Sequence, residues 1–280
     1  MRNEELGIEM RNEELEMRNV DYFYRRIIKL LTVAQNGVQG RHHFSFLIPH
    51  SSFTRACLVI IISHFSFLIP HSAALAQSRR QWRDSLEVLN AKIGRDPNNL
   101  DLHLLKAEAN INLEQWDYAL AEYGKILHVD EKNLAALYFR AFVHIQQHHL
   151  DLARVDYETF LRLQPQHFEA RLGLAHVLQK MGRKSDTTDE LNRLVQMFPD
   201  SADAYAARAA FETEQKLYDI ALYDWDEAIR RRPLNEGFVV SKADILITLN
   251  RMDEARRCLN AAIRRGIPRY ALKEWLDKCK

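Results

Sequence analysis

Between residues 100 and 267 the apolar positions follow two nested periods. Within short stretches they fall three and four residues apart, the spacing that turns one face of a helix inward. The stretches themselves recur every thirty-four residues without an insertion. At that shift one column reads Ala107, Ala141, Ala175, Ala209 and Ala243, and another, twelve residues on, reads Ala119, Ala153, Thr187, Ala221 and Ala255. A third holds Tyr123, Tyr157, Leu191, Trp225 and Leu259, and a fourth Ile126, Phe160, Leu194, Ala228 and Ala262. Two helices approach to about 8 Å only where the facing side chains are small, and the two alanine columns supply that crossing. The aromatic or leucine column lies four residues after the second alanine, on the same side of the second helix, where it fills the gap to the next copy. A fifth column, Pro97, Glu131, Pro165, Pro199, Pro233 and Ile267, ends the second helix in most copies, and a polar turn follows whose Asp or Ser can cap the next helix. No copy can bury its own apolar stripe, so the pattern predicts a stack of two-helix units.

These columns resemble the tetratricopeptide repeat, over about 168 residues. The resemblance implies an all-α fold, a right-handed superhelical solenoid of antiparallel helix hairpins, with five repeats at 100–133, 134–167, 168–201, 202–235 and 236–267. Residues 77–99 read as a partial first repeat, in which 82–93 form a lone second helix with Ser85 and Leu89 in the second and third columns. Pro268 opens a C-terminal capping helix at 268–280, with Tyr270 or Ala271, Trp275 and Leu276 covering the final repeat. Departures mark the third and fourth copies as the softest. Thr187 stands in an alanine column, and Arg208 and Glu212 occupy positions where the family usually has Leu and an aromatic; four apart, they can pair on one helix.

The N-terminal quarter is a different text. RNEEL occurs at residues 2–6 and 11–15, and HFSFLIPHS at 43–51 and 64–72. One spelling of MRNEE is ATG AGG AAT GAG GAA, whose reverse complement encodes FLIPH, so the two words are an inverted repeat in DNA. Residues 1–54 therefore read as a low-complexity, disordered segment or as translated repeat upstream of a misassigned start. Residues 55–76 follow as one arginine, the apolar run 56–70 and the small residues Ala74 and Ala76 before Gln77. This resembles a secretory signal peptide cleaved near Ala76. The run is too short and polar for a stable membrane span, which needs about twenty apolar residues, and a buried first helix is the alternative reading. Export makes the protein periplasmic or secreted; without it the same fold is a cytoplasmic adaptor.

Composition narrows the picture further. With 39 basic and 38 acidic residues the net charge is +1, which leaves no surplus for a phosphate backbone, so no nucleic-acid partner is expected. Arg230 to Arg232 and the Arg264-Arg265 pair end second helices, where cations complement the helix dipole. Nine dispersed glycines build no phosphate loop, and neither GxSxG nor HExxH occurs, so no enzyme and no cofactor is predicted. His144, His148 and His149 cluster in sequence, but the last two fall at a hairpin turn, which argues against a metal site. In an oxidising compartment Cys258 and Cys279 could pair; two unpaired thiols are the alternative.

In the family the first helices line a concave groove that holds a partner segment. Position by position, the resemblance points Leu104, Glu108 and Ile111 inward, then Tyr138, Phe142 and Ile145, Leu172, His176 and Gln179, Ala206 and Ala210, and Val240 and Asp244. Asp101, Glu169 and Asp203 sit at its edge. The expected partner-binding groove is thus centred on Leu104, Glu108, Tyr138, Phe142, Ile145, Leu172 and His176, an aromatic patch with carboxylates around it. Phe142 packing within its hairpin is the alternative. Lys180 is the main inward-leaning cation, so the basic clamp that some members close on a C-terminal carboxylate is missing. The predicted partner is another protein offering an extended apolar or basic segment, or a helix. Self-association is possible but not favoured, because the Trp275 cap closes one end.

Overall fold

The computed structural model describes residues 71–280, with side chains from residue 79 onward. The segments read as low-complexity (1–54) and as an apolar run (56–70) lie outside the described residues. Within them the fold is all-α, and the chain divides into two compact units, one ending at Lys184 and the other beginning at Ser185. The division falls between the two helices of the third repeat.

The first unit holds α1 (His71–Arg95), α2 (Leu100–Asn112), α3 (Trp116–Val129), α4 (Leu134–Gln146), α5 (Leu150–Leu163) and α6 (Phe168–Lys180). The second holds α7 (Lys184–Met197), α8 (Ala202–Glu214), α9 (Tyr218–Arg231), α10 (Glu236–Thr248), α11 (Met252–Arg265), a 3₁₀ turn (Arg269–Leu272) and α12 (Lys273–Lys278). Three-residue turns join first to second helices, and four-residue turns join one repeat to the next. The sequence columns are buried as their spacing requires. Ala107, Ala119, Ala141 and Ala153 have no exposed surface in the first unit, nor do Ala209, Ala221, Ala243 and Ala255 in the second. Tyr123, Phe160, Trp225 and Leu259 fill the layers between them. Thr187, the one non-alanine of its column, is equally buried.

Local chemistry repeats with the same period. The residue before each first helix, Asn99, Asn133, His167, Ser201 or Asn235, accepts a hydrogen bond through its side chain from the backbone N–H three residues on, satisfying a donor the helix leaves free. The turn within each hairpin closes with a long backbone bond from Gln115, His149, Arg183, Leu217 or Arg251 to the carbonyl five residues earlier. That closure needs a left-handed residue just before the donor. Glu114, His148, Gly182, Lys216 and Asn250 occupy it, at φ between 57° and 74°.

Both ends differ from the sequence expectation. α1 begins at His71, well before residue 82, so a single continuous helix precedes the first full repeat and the expected boundary at Ala76 lies inside it. At the other end Tyr270 is 82% exposed, while Leu272 and Cys279 are buried. The 3₁₀ turn after Pro268 winds at three residues per turn and rotates Leu272, not Tyr270, onto the last repeat. Trp275 does reach the repeat, donating from Nε1 to Asp244 Oδ1 at 2.7 Å. Cys258 and Cys279 are free thiols. No helix among the described residues is long and apolar enough to cross a membrane.

Candidate functional site

The expected groove residues Leu104, Glu108, Tyr138, Phe142, Ile145, Leu172 and His176 all belong to the first unit, on α2, α4 and α6. α2 touches α4, and α4 touches α6, so these first helices form one continuous surface. Asn99, Asn133 and His167 start the three helices, and the alanine crossings beneath hold them against α3 and α5.

Burial sorts the seven residues into two sets. Leu104 and Glu108 are buried on α2. Tyr138 is buried too, its ring meeting Phe139, Tyr157 and Phe160 edge-on at centroid distances of 5.2, 5.7 and 5.8 Å, with the His167 ring 5.8 Å away. It is part of the aromatic core of its own repeat, 134–167. Phe142, Ile145, Leu172 and His176 are only half-buried, and Phe142 and Ile145 pack on the core from its outer side. His176 titrates at about 4, because burial and the neighbouring Lys180 disfavour its cation, so at neutral pH the imidazole adds no charge to the patch. The accessible part of the face is therefore apolar and lies on α4 and α6, with Glu169 beside it and Asp101 exposed at the far edge.

The corresponding positions of the second unit offer less. Ala206 and Ala210 are fully buried, Asp244 accepts the Trp275 bond, and Asp203 is held bidentately by Arg232 at 2.9 and 2.8 Å.

A feature that sequence reasoning missed stabilises the hairpins from inside. With each copy numbered from its first residue, the seventh is Lys106, Arg140, Leu174, Arg208 or Lys242, and the twenty-third is Glu122, Asp156, Glu190, Asp224 or Cys258. Three copies bring a cation and a carboxylate together across the two helices: Lys106 to Glu122 at 3.0 Å, Arg140 to Asp156 at 2.6 Å and Arg208 to Asp224 at 2.6 Å. Arg208 thus turns mainly to Asp224, and its helix neighbour Glu212 stays at 3.8 Å. Burial alone would raise the Glu122 carboxyl, but hydrogen bonds from His103, Lys106 and Lys125 hold it below the usual range. The signal was a fixed sixteen-residue offset between opposite charges in matching columns.

Of the three histidines only two approach each other, the His144 and His149 rings at a centroid distance of 5.8 Å. His144 is buried 4.0 Å from Asp156, its cation disfavoured by burial, while His148 serves as the left-handed turn residue. No three His, Cys, Asp or Glu side chains converge as metal ligands among the described residues.

Comparison with known proteins agrees with this architecture. Family models described as tetratricopeptide repeat match residues 144–211 and 239–265. The DnaJ protein P58IPK homolog B of Oryza sativa subsp. japonica is 36% identical over 132 residues, 45% of this chain, and the match spans only 26% of that relative's length. A tetratricopeptide repeat protein from Parabacteroides merdae aligns with a TM-score of 0.52 and 18% identity, over 83% of this chain and 86% of its own. YrrB, described as a TPR protein with an unusual peptide-binding site, aligns with a TM-score of 0.50 and 18% identity over 65% of this chain and 93% of its own. With its alanine crossings, recurrent caps and thirty-four-residue period, the chain carries tetratricopeptide repeats, matched by the family models at 144–211 and 239–265.

Proposed function

We propose that the protein is a non-catalytic scaffold that holds an extended apolar or basic segment of another protein, or a helix, against the α4–α6 face of its first unit. The observation that carries this reading is the half-exposed set Phe142, Ile145 and Leu172 on adjoining first helices, with Glu169 beside it. Apolar anchors within a polar rim are the usual makeup of a binding hot spot. The likeness in fold to YrrB, described as having a peptide-binding site, supports this reading. The reading also takes the mature chain to start near Gln77, outside the cytoplasm, on the strength of the apolar run and the small residues before Gln77.

A photo-crosslinker placed at position 142 identifies the partner, and titration of the purified partner then measures affinity. Replacing Phe142 and Leu172 together by Ala weakens it by about 2 kcal/mol or more; a change under about 0.5 kcal/mol with the helical spectrum intact overturns the reading. N-terminal sequencing of the protein from its own cells tests export. A cytosolic chain starting at Met1 or Met17 makes it a cytoplasmic adaptor instead.

A further inference from the structure

The second unit carries a cleft that the α4–α6 face does not involve. It has a volume of about 380 Å³ and lies among α9, α10 and α11. Its floor is apolar, with Leu222 and Leu246, and four cations line its walls: Lys242, Arg251, Arg257 and Arg265. Only two carboxylates share the cleft, and both are already engaged. Asp226 takes Lys242 at 2.5 Å, and Glu254 takes Arg251 in a two-point pair at 2.6 and 2.7 Å. Among the described residues no carboxylate comes within 4.0 Å of Arg257 or Arg265, and Glu254, already paired with Arg251, acts on Arg257 only from farther off.

The excess of positive charge has a cause in the repeat pattern. In the other four copies the twenty-third residue is Glu or Asp, and in three of them it neutralises the cation at the seventh position. The fifth copy keeps the cation, Lys242, but has Cys258 at the twenty-third position. Lys242 therefore reaches back to Asp226 of the preceding repeat, and the place of the missing carboxylate opens into the cleft beside Cys258. An ammonium with three donors is not exhausted by one partner.

We propose that this cleft is a second docking site, which takes an acidic, leucine-bearing segment of a partner protein by placing one of its carboxylates where the other repeats carry their own. The partner carboxylate sits between Lys242 and the guanidinium groups of Arg257 and Arg265, while an apolar side chain lies on the Leu222–Leu246 floor. Charge complementarity with an apolar floor selects a peptide over a free anion, which would gain nothing from the floor.

The test uses the full chain and a fluorescein-labelled heptapeptide of alternating leucine and glutamate, read by anisotropy at low ionic strength, with the lysine counterpart as control. The glutamate peptide binds and the lysine peptide does not. Cys258→Asp restores the missing carboxylate and weakens binding about tenfold, whereas Cys258→Ser, which leaves the cations unmatched, keeps it. The exposed double variant Arg257→Ala with Arg265→Ala weakens it to a similar extent and decides the matter if Cys258→Asp does not fold. Phe142→Ala leaves it unchanged. Equal binding of both peptides, equal binding of inorganic phosphate, or an affinity within about twofold of wild type in the Arg257/Arg265 double variant overturns the proposal.

Discussion

Gly173 on α6 lies directly against the ring of Tyr157 on α5: a Cβ added at the glycine would stand 2.6 Å from Cζ and 2.9 Å from the hydroxyl oxygen. The ring cannot give way easily, since Tyr157 is buried and stacked edge-on with Tyr138. Gly173→Ala therefore overpacks the first unit and destabilises it by about 2 kcal/mol, measured by urea unfolding. Shortening the obstacle recovers the loss: in a Tyr157→Leu background the same alanine costs less than about 0.5 kcal/mol, because the atoms it meets are gone.

The intra-hairpin turns make a second case. Lys216 holds φ at 61°, a left-handed conformation that costs an L-residue about 1 kcal/mol or more, and its side chain is exposed. Gly182 sits at the equivalent place at φ 74° with open space around it. Lys216→Gly raises stability by about 0.5 kcal/mol after the entropy of the freer unfolded chain is subtracted, and Gly182→Ala lowers it by a similar amount. Differential scanning calorimetry of the two single variants reads opposite shifts in Tm.

Glu212 gives a prediction in pH. Burial, the nearby Asp224 carboxylate and a hydrogen bond to it push its carboxyl up to about 8, against the pull of Arg208. In the unfolded chain the same group ionises near 4.5, so the folded state keeps a proton that the unfolded state loses. Its contribution is fully present below pH 4.5 and is lost as pH rises toward 8. Glu212→Gln carries no such loss. The variant matches wild type at pH 4 and exceeds it by about 3 kcal/mol at pH 7, a difference that thermal melts across the range resolve. A constant offset at all pH values would mean that packing, not ionisation, separates the two side chains.

The sequence was most legible where identity alone decides the structure. Small residues at a helix crossing leave an alanine column, and the burial of Ala107, Ala141, Ala209 and Ala243 follows their spacing. Where a side chain ends up depends also on what the next element brings. Tyr138 has the right helical phase to line a groove, yet His167, the cap of the following helix, and Phe160 close over it, and neither is readable from the phase of α4. Leu272 is buried where Tyr270 or Ala271 is expected, because a 3₁₀ turn shifts the register by part of a turn; Ala271 is half-buried and Tyr270 exposed. Arg208 departs from an apolar column, and helix spacing alone offers it Glu212; the partner that holds it, Asp224, lies across the hairpin.

That cross-hairpin pair makes the last prediction. Asp224 has no exposed surface, and Arg208 meets it through Nε and Nη2 at 2.6 and 2.8 Å while Nη1 reaches Asn192. Removing one partner leaves a buried charge without its counterion, so Arg208→Leu costs about 3 kcal/mol, far more than a side chain with one-fifth of its surface exposed would suggest. The third copy shows that leucine itself is tolerated at this position, since Leu174 occupies it and is buried. The damage must then come from the stranded carboxylate. Adding Asp224→Asn to Arg208→Leu removes the charge and returns stability to within about 1 kcal/mol of wild type. Urea unfolding of both single variants and the double variant closes the cycle. If the double variant is no better than Arg208→Leu alone, the arginine acts through its aliphatic stem and the Asn192 contact, and the charge pair contributes nothing of its own.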